Sequence, residues 1–325
     1  MDILFDEIPS LDLADFTAGT AEQKKAFVKK LGEAYQNIGF VAIKNHGLSK
    51  DLQDRLYNSI KAFFALPDEV KAKYEKPEIG YQRGYTGKGK EHAKGRNTGD
   101  LKEFYHVGQE LALIPDSDPV KTEYPENLWP TEVSGFKNDA IEAFQTLENA
   151  GKAMLRAIAL NLELPEDYFE DKVAYGNSIL RQIHYFPIEN PDEVPADAVR
   201  AAEHGDINLI TLLMGASADG LQVLRKDGKW IPITALPDQL VVNVGDMLER
   251  LTNKKLKSTI HRVVNPPREL MHTSRYSIPF FMHPRSEMDL TCLENCIDEK
   301  NPKQFTDATA GEFLEERLRE LGLRK

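Results

Sequence analysis

The feature that most limits what this chain can become is a crowd of short β-prone runs in its second half. They fall at residues 179–186, 207–214, 221–224, 240–244, 259–264 and 275–282, punctuated by Gly, Pro, Asn and Asp. Strands this short and this closely spaced predict a sandwich or barrel such as a jelly roll. The first half has a different period. Thr20-Ala21-Glu22-Gln23 has the form of a capping box, and Phe27, Leu31, Ala34 and Tyr35 follow at helical spacing. The apolar run Phe40-Val41-Ala42-Ile43 reads as a strand ending in the turn residues Asn45-His46-Gly47. Leu52, Leu56, Ile60, Phe63 and Phe64 mark a second amphipathic helix that stops before Pro67. A long helix is expected from about Glu132 to Leu162 and a last one from Thr309 to Leu323. The predicted fold class is therefore α+β. Residues 1–120 form a mixed helical N-terminal region, 121–175 a long packing helix, 176–285 the double-stranded β-helix (jelly-roll) core, and 286–325 a C-terminal helical segment. No linker separates these parts, so they are expected to pack as one unit.

Residues 76–100 stand apart, with Gly80, Gly84, Gly87, Gly89, Gly95 and Gly99 among basic residues. That glycine density reads as a loop, either a solvated surface segment or a lid. It lacks the spacing of a phosphate-binding loop. The net charge of −11 weighs against a nucleic-acid partner, which wants a basic face. No stretch approaches the roughly 18 apolar residues of a membrane span. The acidic start, Met1-Asp2-Ile3-Leu4-Phe5-Asp6-Glu7, has no basic leader. Cys292 and Cys296 are read as reduced thiols, and the compartment as cytoplasm.

Among eight histidines, one lies in an H-x-D triplet, His204-Gly205-Asp206. Residues two apart on a strand share a face, about 6.6 Å apart along the backbone, so both side chains can reach one ion. The triplet alone is a weak signal. It gains weight because the strand-like run Ile207–Leu213 follows it, and Ser258-Thr259-Ile260-His261-Arg262-Val263-Val264 later offers a third ligand within another strand. Two imidazoles and one carboxylate leave three adjacent coordination positions open, a set suited to Fe(II), Mn(II) or Zn(II). Downstream, Arg275-Tyr276-Ser277 places a guanidinium and a hydroxyl on one strand face, apt for a planar carboxylate.

The ordered set H-G-D, H-R-V and R-Y-S, set within I-N-L-I-T-L-L, G-L-Q-V-L, N-V-G-D and S-I-P-F-F, resembles the 2-oxoglutarate/Fe(II) dioxygenases of the isopenicillin N synthase-like superfamily. Residues 31–47 resemble that family's N-terminal region, so the likeness runs from about Ile8 to Pro284. It implies Fe(II) held by His204, Asp206 and His261, with 2-oxoglutarate and O₂ as cosubstrates. It implies Arg275 and Ser277 on the distal carboxylate of 2-oxoglutarate, with Tyr185 assisting. Here Phe186 separates Tyr185 from Pro187, a departure from the family pattern. Phe281 falls where the family presents a ring to substrate, or where a core Phe would sit. Arg83, with Lys88, Lys90, Arg96 and Lys102, either attracts a carboxylated metabolite or solvates the glycine loop. His46 is expected in a structural turn, His184 on the outward face, and Arg262 beside a carboxylate that orients the ligands. Asn253-Lys254 stands where the family often has Asn-Gly.

The activity implied is oxidation of a C–H bond in a small metabolite, by hydroxylation, desaturation or cyclisation, with release of succinate and CO₂. Three readings compete with it: an Fe(II) oxidase that does not use 2-oxoglutarate, a non-catalytic jelly-roll binding protein, and a zinc hydrolase. A fourth ligand from His106, His272 or His283 would favour a structural metal instead.

Overall fold

The computed structural model describes residues 4–90, 102–190, 199–215, 220–234 and 236–320. Its strands are β1 Ser10–Asp12, β2 Phe40–Lys44, β3 Gly84–Thr86, β4 Lys102–Val107, β5 Ile179–Tyr185, β6 Ala201–His204, β7 Ile210–Met214, β8 Leu221–Leu224, β9 Trp230–Pro232, β10 Leu240–Val244, β11 His261–Val263, β12 Arg275–Ser277 and β13 Pro279–Met282. Its helices are α1 Leu13–Thr17, α2 Ala21–Asn37, α3 Lys50–Phe64, α4 Asp68–Lys71, α5 Val120–Glu123, α6 Phe136–Asn161, α7 Glu170–Val173, α8 Asp246–Leu251 and α9 Ala310–Glu320.

Capping chemistry sets the helix starts. Thr20 Oγ1 accepts from the Gln23 amide at 3.3 Å while Gln23 Oε1 accepts from the Thr20 amide at 2.9 Å, completing the expected box before α2. Ser49 Oγ accepts from the Leu52 amide at 3.1 Å and opens α3. The long helix begins at Phe136 rather than near Glu132, because Pro130 and Gly135, the latter at φ 83°, hold the preceding chain in turns.

Among the described residues the strands form two sheets. The larger runs β1-β2-β10-β7-β13-β5-β4-β3, with β12 also pairing β5; the smaller runs β6-β11-β8-β9. The larger sheet is buried on both faces, which is why its strands read as apolar runs. Leu212, Val242, Phe280, Met282 and Leu180 face α2, α3 and α6 in the main core. Their alternates Leu213, Val241, Ala42 and Phe40 meet Val223, Ile231 and Val263 of the smaller sheet in a second core. This is the expected jelly roll with an outer helical layer. A further small cluster, Phe104, Ile183 and Tyr185, lies on one face of β4 and β5, and Arg275 and Ser277 of β12 stand opposite Tyr185 and Ile183.

Part of the stretch expected as a glycine loop is strand. Gly84-Tyr85-Thr86 is buried and pairs with β4, because Tyr85 packs on Phe63 at 5.8 Å and its hydroxyl donates to Glu103 at 2.5 Å. Residues 91–100 of that stretch, with Lys94 and Arg96, lie outside the described residues. Cys292 and Cys296 are buried free thiols. No described helix is long and apolar enough to cross a membrane.

Asn253 and Lys254 both adopt left-handed backbone, at φ 48° and 64°. Asn253 is fully buried, and its Nδ2 lies 3.1–3.2 Å from the carbonyls of Cys296, Asn301 and Pro302. Its Oδ1 accepts from the Gln304 amide at 2.9 Å. One side chain thus pins the segment that leads to α9. Asn253→Ala is expected to lower the unfolding free energy by about 2–3 kcal/mol, since it strands buried carbonyls. Lys254→Gly relieves a left-handed non-glycine residue and is expected to raise it by about 1 kcal/mol. Urea denaturation of both variants checks the pair; an unchanged Asn253→Ala midpoint removes this turn from the interactions that hold the C-terminal segment.

Candidate active site

His204 ends β6 and pairs directly across from His261, the first residue of β11. The two rings lie 4.4 Å apart between centroids. Asp206 is not on a strand. It follows β6 in the turn toward β7, so the convergence comes from the chain leaving the sheet at Gly205, not from strand alternation. A Cβ at Gly205 would stand 3.1 Å from Asp246 Oδ1 and 3.2 Å from Ser258 Oγ, so a larger residue there would crowd the turn. Each of the three residues offers one ligand atom, and all three atoms lie within 4.8 Å of one another.

Hydrogen bonds fix what each ligand presents. His204 Nδ1 lies 2.7 Å from the Ala202 carbonyl and His261 Nδ1 3.2 Å from that of Thr259, so each Nδ1–H donates and each Nε2 keeps its lone pair. His261 Nε2 stands 3.8 Å from Asp206 Oδ1. Asp206 Oδ2 accepts from Thr211 Oγ1 and Asn243 Nδ2, both at 2.7 Å, which leaves Oδ1 for an ion. Burial alone would raise the Asp206 pKa, but His261, His204 and these two hydrogen bonds outweigh it and hold the carboxyl below its ordinary value. The surrounding protein, and then the His261 ring, pull His204 down to about 4 although part of the residue faces the barrel mouth. Deprotonated imidazole and ionised carboxylate are the states a divalent ion needs. With three protein ligands among the described residues and no fourth His, the set fits a mononuclear ion with open positions.

A cationic wall stands across the same interior. Arg275 pairs with Tyr185 and Ser277 with Ile183, and the Arg275 guanidinium carbon lies 4.9 Å from the Tyr185 ring centroid. Arg200, just before β6, joins them. Burial first, and then the Arg275 charge, lower its pKa, and its Nη2 donates to the Thr273 carbonyl at 3.0 Å. Farther along β5, Arg181 lies over Phe104 at 4.4 Å and Phe281 at 5.4 Å, and its Nε donates to His106 Nε2 at 2.7 Å.

The opposite face of β5 carries a buried polar network. His184 Nδ1–H donates to Glu103 Oε1 at 2.7 Å, and its Nε2 meets Ser274 Oγ at 2.9 Å. Lys71 and Tyr85 donate to the other Glu103 oxygen at 2.9 and 2.5 Å. His184 also stacks on Tyr276 at 4.8 Å. Burial would raise the Glu103 pKa; His184, Tyr85 and Lys71 together hold it below the ordinary value.

The structure thus brings together His204, Asp206 and His261, and separately Arg275, Ser277 and Tyr185. Phe281 faces the interior beside Arg181, whereas Arg83 is wholly buried against Gly108. His46 is structural, its ring bridging the Asp238 carbonyl and the Leu48 amide. Arg262 points away from the ligands, stacking on Trp230 at 3.9 Å and pairing with Glu203 at 3.4 Å. Sequence reasoning missed Thr211, Asn243, Arg200 and Glu103. Asn243 stood in the quoted N-V-G-D motif, but only the cross-strand register Asn243↔Thr211 shows its purpose.

Two family profiles match this chain. One, the non-haem dioxygenase in morphine synthesis N-terminal family, matches residues 8–132; the other, the 2OG-Fe(II) oxygenase superfamily, matches residues 176–284. A 2-oxoglutarate-Fe(II) type oxidoreductase, ppzC, of Metarhizium rileyi is 31% identical over 333 residues, covering 98% of this chain and 88% of the relative. A 2OG-Fe(II) oxygenase family protein from Caulobacter crescentus superposes with a TM-score of 0.85 at 43% identity, covering 96% of this chain and 98% of the other. A full-length Neurospora crassa protein solved in complex with alpha-KG superposes with a TM-score of 0.84 at 31% identity, covering 96% of each chain. That Neurospora crassa protein has also been solved with alpha-KG and thymine.

Two outcomes follow from the bonds described. Thr211→Val and Asn243→Ala are each expected to weaken Fe(II) or Mn(II) binding about 10- to 100-fold by freeing the Asp206 carboxylate, as read by anaerobic metal titration. Glu103→Gln leaves the buried Lys71 ammonium without its buried anion and is expected to cost about 3 kcal/mol at neutral pH. Because the Glu103 pKa is depressed on folding, its contribution is full above the unfolded value of about 4.3 and fades as pH falls through the lower folded value. Acid unfolding of the variant should therefore show a shallower pH dependence than wild type.

Proposed function

The chain belongs to the 2OG-Fe(II) oxygenase superfamily, and on that premise we propose that it hydroxylates an unactivated C–H bond of a small polar metabolite. It is a 2-oxoglutarate-dependent dioxygenase, with Fe(II) as its metal and 2-oxoglutarate as cosubstrate. In the proposed reaction one atom of O₂ enters succinate and the other the product, while CO₂ leaves.

His204, Asp206 and His261 are the proposed iron ligands, and bound Fe(II) supplies the redox chemistry that lets O₂ and 2-oxoglutarate oxidise a C–H bond. The observation that carries this reading is the open three-ligand set with Nδ1 of both imidazoles tied to backbone carbonyls. Arg275, with Ser277 and Tyr185, is the proposed grip on the distal carboxylate of 2-oxoglutarate, the guanidinium fork matching a planar acid. Arg200 adds a second positive charge beside it. Both sheets' apolar inner faces exclude water from the reacting centre. Phe281 and Arg181 form the proposed wall against which the substrate lies.

Anaerobic titration with Fe(II) and then 2-oxoglutarate should produce the weak visible charge-transfer band of the chelate. His204→Ala is expected to abolish it. Arg275→Ala is expected to raise the 2-oxoglutarate dissociation constant about 100-fold, the effect of removing one partner of a buried charge pair. An enzyme that consumes O₂ yet yields no succinate would sink the proposal in favour of an oxidase that takes its electrons from substrate alone.

A further inference from the structure

Arg83 is the largest fully buried side chain among the described residues, at 0% exposure. Only its Nη1 has an acceptor, the Gln82 carbonyl at 2.8 Å. Its Nε and Nη2 are buried with no acceptor, and no described carboxylate pairs with it. Burial pulls its pKa down to about 10, which still leaves it charged at neutral pH. Native interiors pair nearly all buried donors, and an unpaired buried cation is the costliest exception.

The position of this guanidinium is built, not incidental. It fills the space that a side chain at Gly108 would take, since a Cβ there would stand 2.1 Å from the Arg83 Cζ. Gly108 follows directly on β4, and the strand's alternation puts that space on the side of Phe104 and His106. His106 in turn is tied to Tyr81, two residues before Arg83, at 3.0 Å. The Tyr124 hydroxyl, near enough to act electrostatically on the Arg83 guanidinium, is likewise buried without a partner. Nearer the metal ligands, His283 Nδ1 is another buried atom without a partner, and its ring senses Asp206.

We infer that Arg83, together with Tyr124, holds a carboxylate of the oxidised substrate, so that the enzyme acts on a small organic acid. This rests on the oxygenase reading above and extends it. Nε and Nη2 share one edge of the guanidinium, and that edge offers two parallel N–H donors spaced for the two oxygens of a planar acid. The Tyr124 hydroxyl supplies a third donor. The acid bound here is not the distal carboxylate of 2-oxoglutarate. Arg275 lies against Tyr185, whereas Gly108 extends β4 toward Ile179, six residues down β5 and roughly 20 Å along the strand.

The test uses the full chain loaded anaerobically with Fe(II) and saturating 2-oxoglutarate, so that Arg275 is engaged. Two matched probe pairs, acetate with acetamide and benzoate with benzamide, are titrated by their shift of the melting temperature. The acid of at least one pair is expected to bind about 100-fold tighter than its amide, a preference of the size a buried charge pair gives. Arg83→Met is expected to lose that preference while melting at or above the wild-type temperature without probe, because it removes an uncompensated buried charge. Tyr124→Phe is expected to reduce the preference, and it decides the matter if Arg83→Met fails to fold. Equal binding of acid and amide in both pairs, an unaltered preference in a folded Arg83→Met, or a shift by inorganic phosphate alone would overturn the inference. Succinate formation by the wild type is measured in parallel. Succinate without any acid preference defeats this inference and spares the oxygenase reading, whereas no succinate at all defeats the reading.

Discussion

One carboxylate joins the two sheets of this protein. Asp206 leaves the smaller sheet two residues after His204, yet its Oδ2 is held at 2.7 Å by Thr211 and Asn243, a cross-strand pair on β7 and β10 of the larger sheet. The same residue therefore sets the spacing of the sheets at the mouth and aims its free oxygen at the imidazoles. Phe281 pairs with Thr211 in the next strand over, so the proposed substrate wall is in register with the ligand it serves. Any drift of β7 against β10 would move the proposed metal site and the proposed substrate wall together.

The electrostatic layout follows from the same constraint. A chain of net charge −11 concentrates guanidinium groups inside its β core: Arg275 and Arg200 near Tyr185, Arg181 over Phe104 and Phe281, and Arg83 against Gly108. The ionised Asp206 and a His204 imidazole whose pKa its surroundings lower belong to the same interior. Arg275 and Arg200 suit the proposed grip on the dianionic cosubstrate, whose far carboxylate they would meet.

How much of this could be read from the chain depended on where the information lay. The strands rich in Val, Ile and Leu announced themselves because they are buried on both faces. β4, Lys102-Glu103-Phe104-Tyr105-His106-Val107, did not, since its buried polar residues are satisfied only by distant partners such as Lys71, His184 and Arg181. β3 was hidden by its glycine, and its burial depends on Phe63 and Glu103. The three ligand candidates were legible as a motif, but their convergence was expected from alternation on a strand and arises instead from the turn at Gly205. The partners of Asp206 were illegible because register between strands has no local signature. At Asn253-Lys254, where the family often has Asn-Gly, the turn keeps a left-handed geometry through the four hydrogen bonds of the asparagine amide.

β5 shows why the outer layer matters to the inner chemistry. Its inward residues Arg181, Ile183 and Tyr185 line the interior, and its outward residue His184 joins Glu103 and Ser274. Ser274 is the residue before Arg275. A bond between His184 and Ser274 therefore clamps β12 onto β5 from behind, at the point where the guanidinium emerges on the other side. A long, flexible arginine is a poor anchor unless its backbone is fixed, since each ordered rotamer costs entropy. Here the fixing comes from a buried acid that also takes a lysine from α4 and a tyrosine from β3. Lys71 of α4 and Tyr85 of β3 thus act on the proposed cosubstrate grip from behind, through the alternation of a single strand.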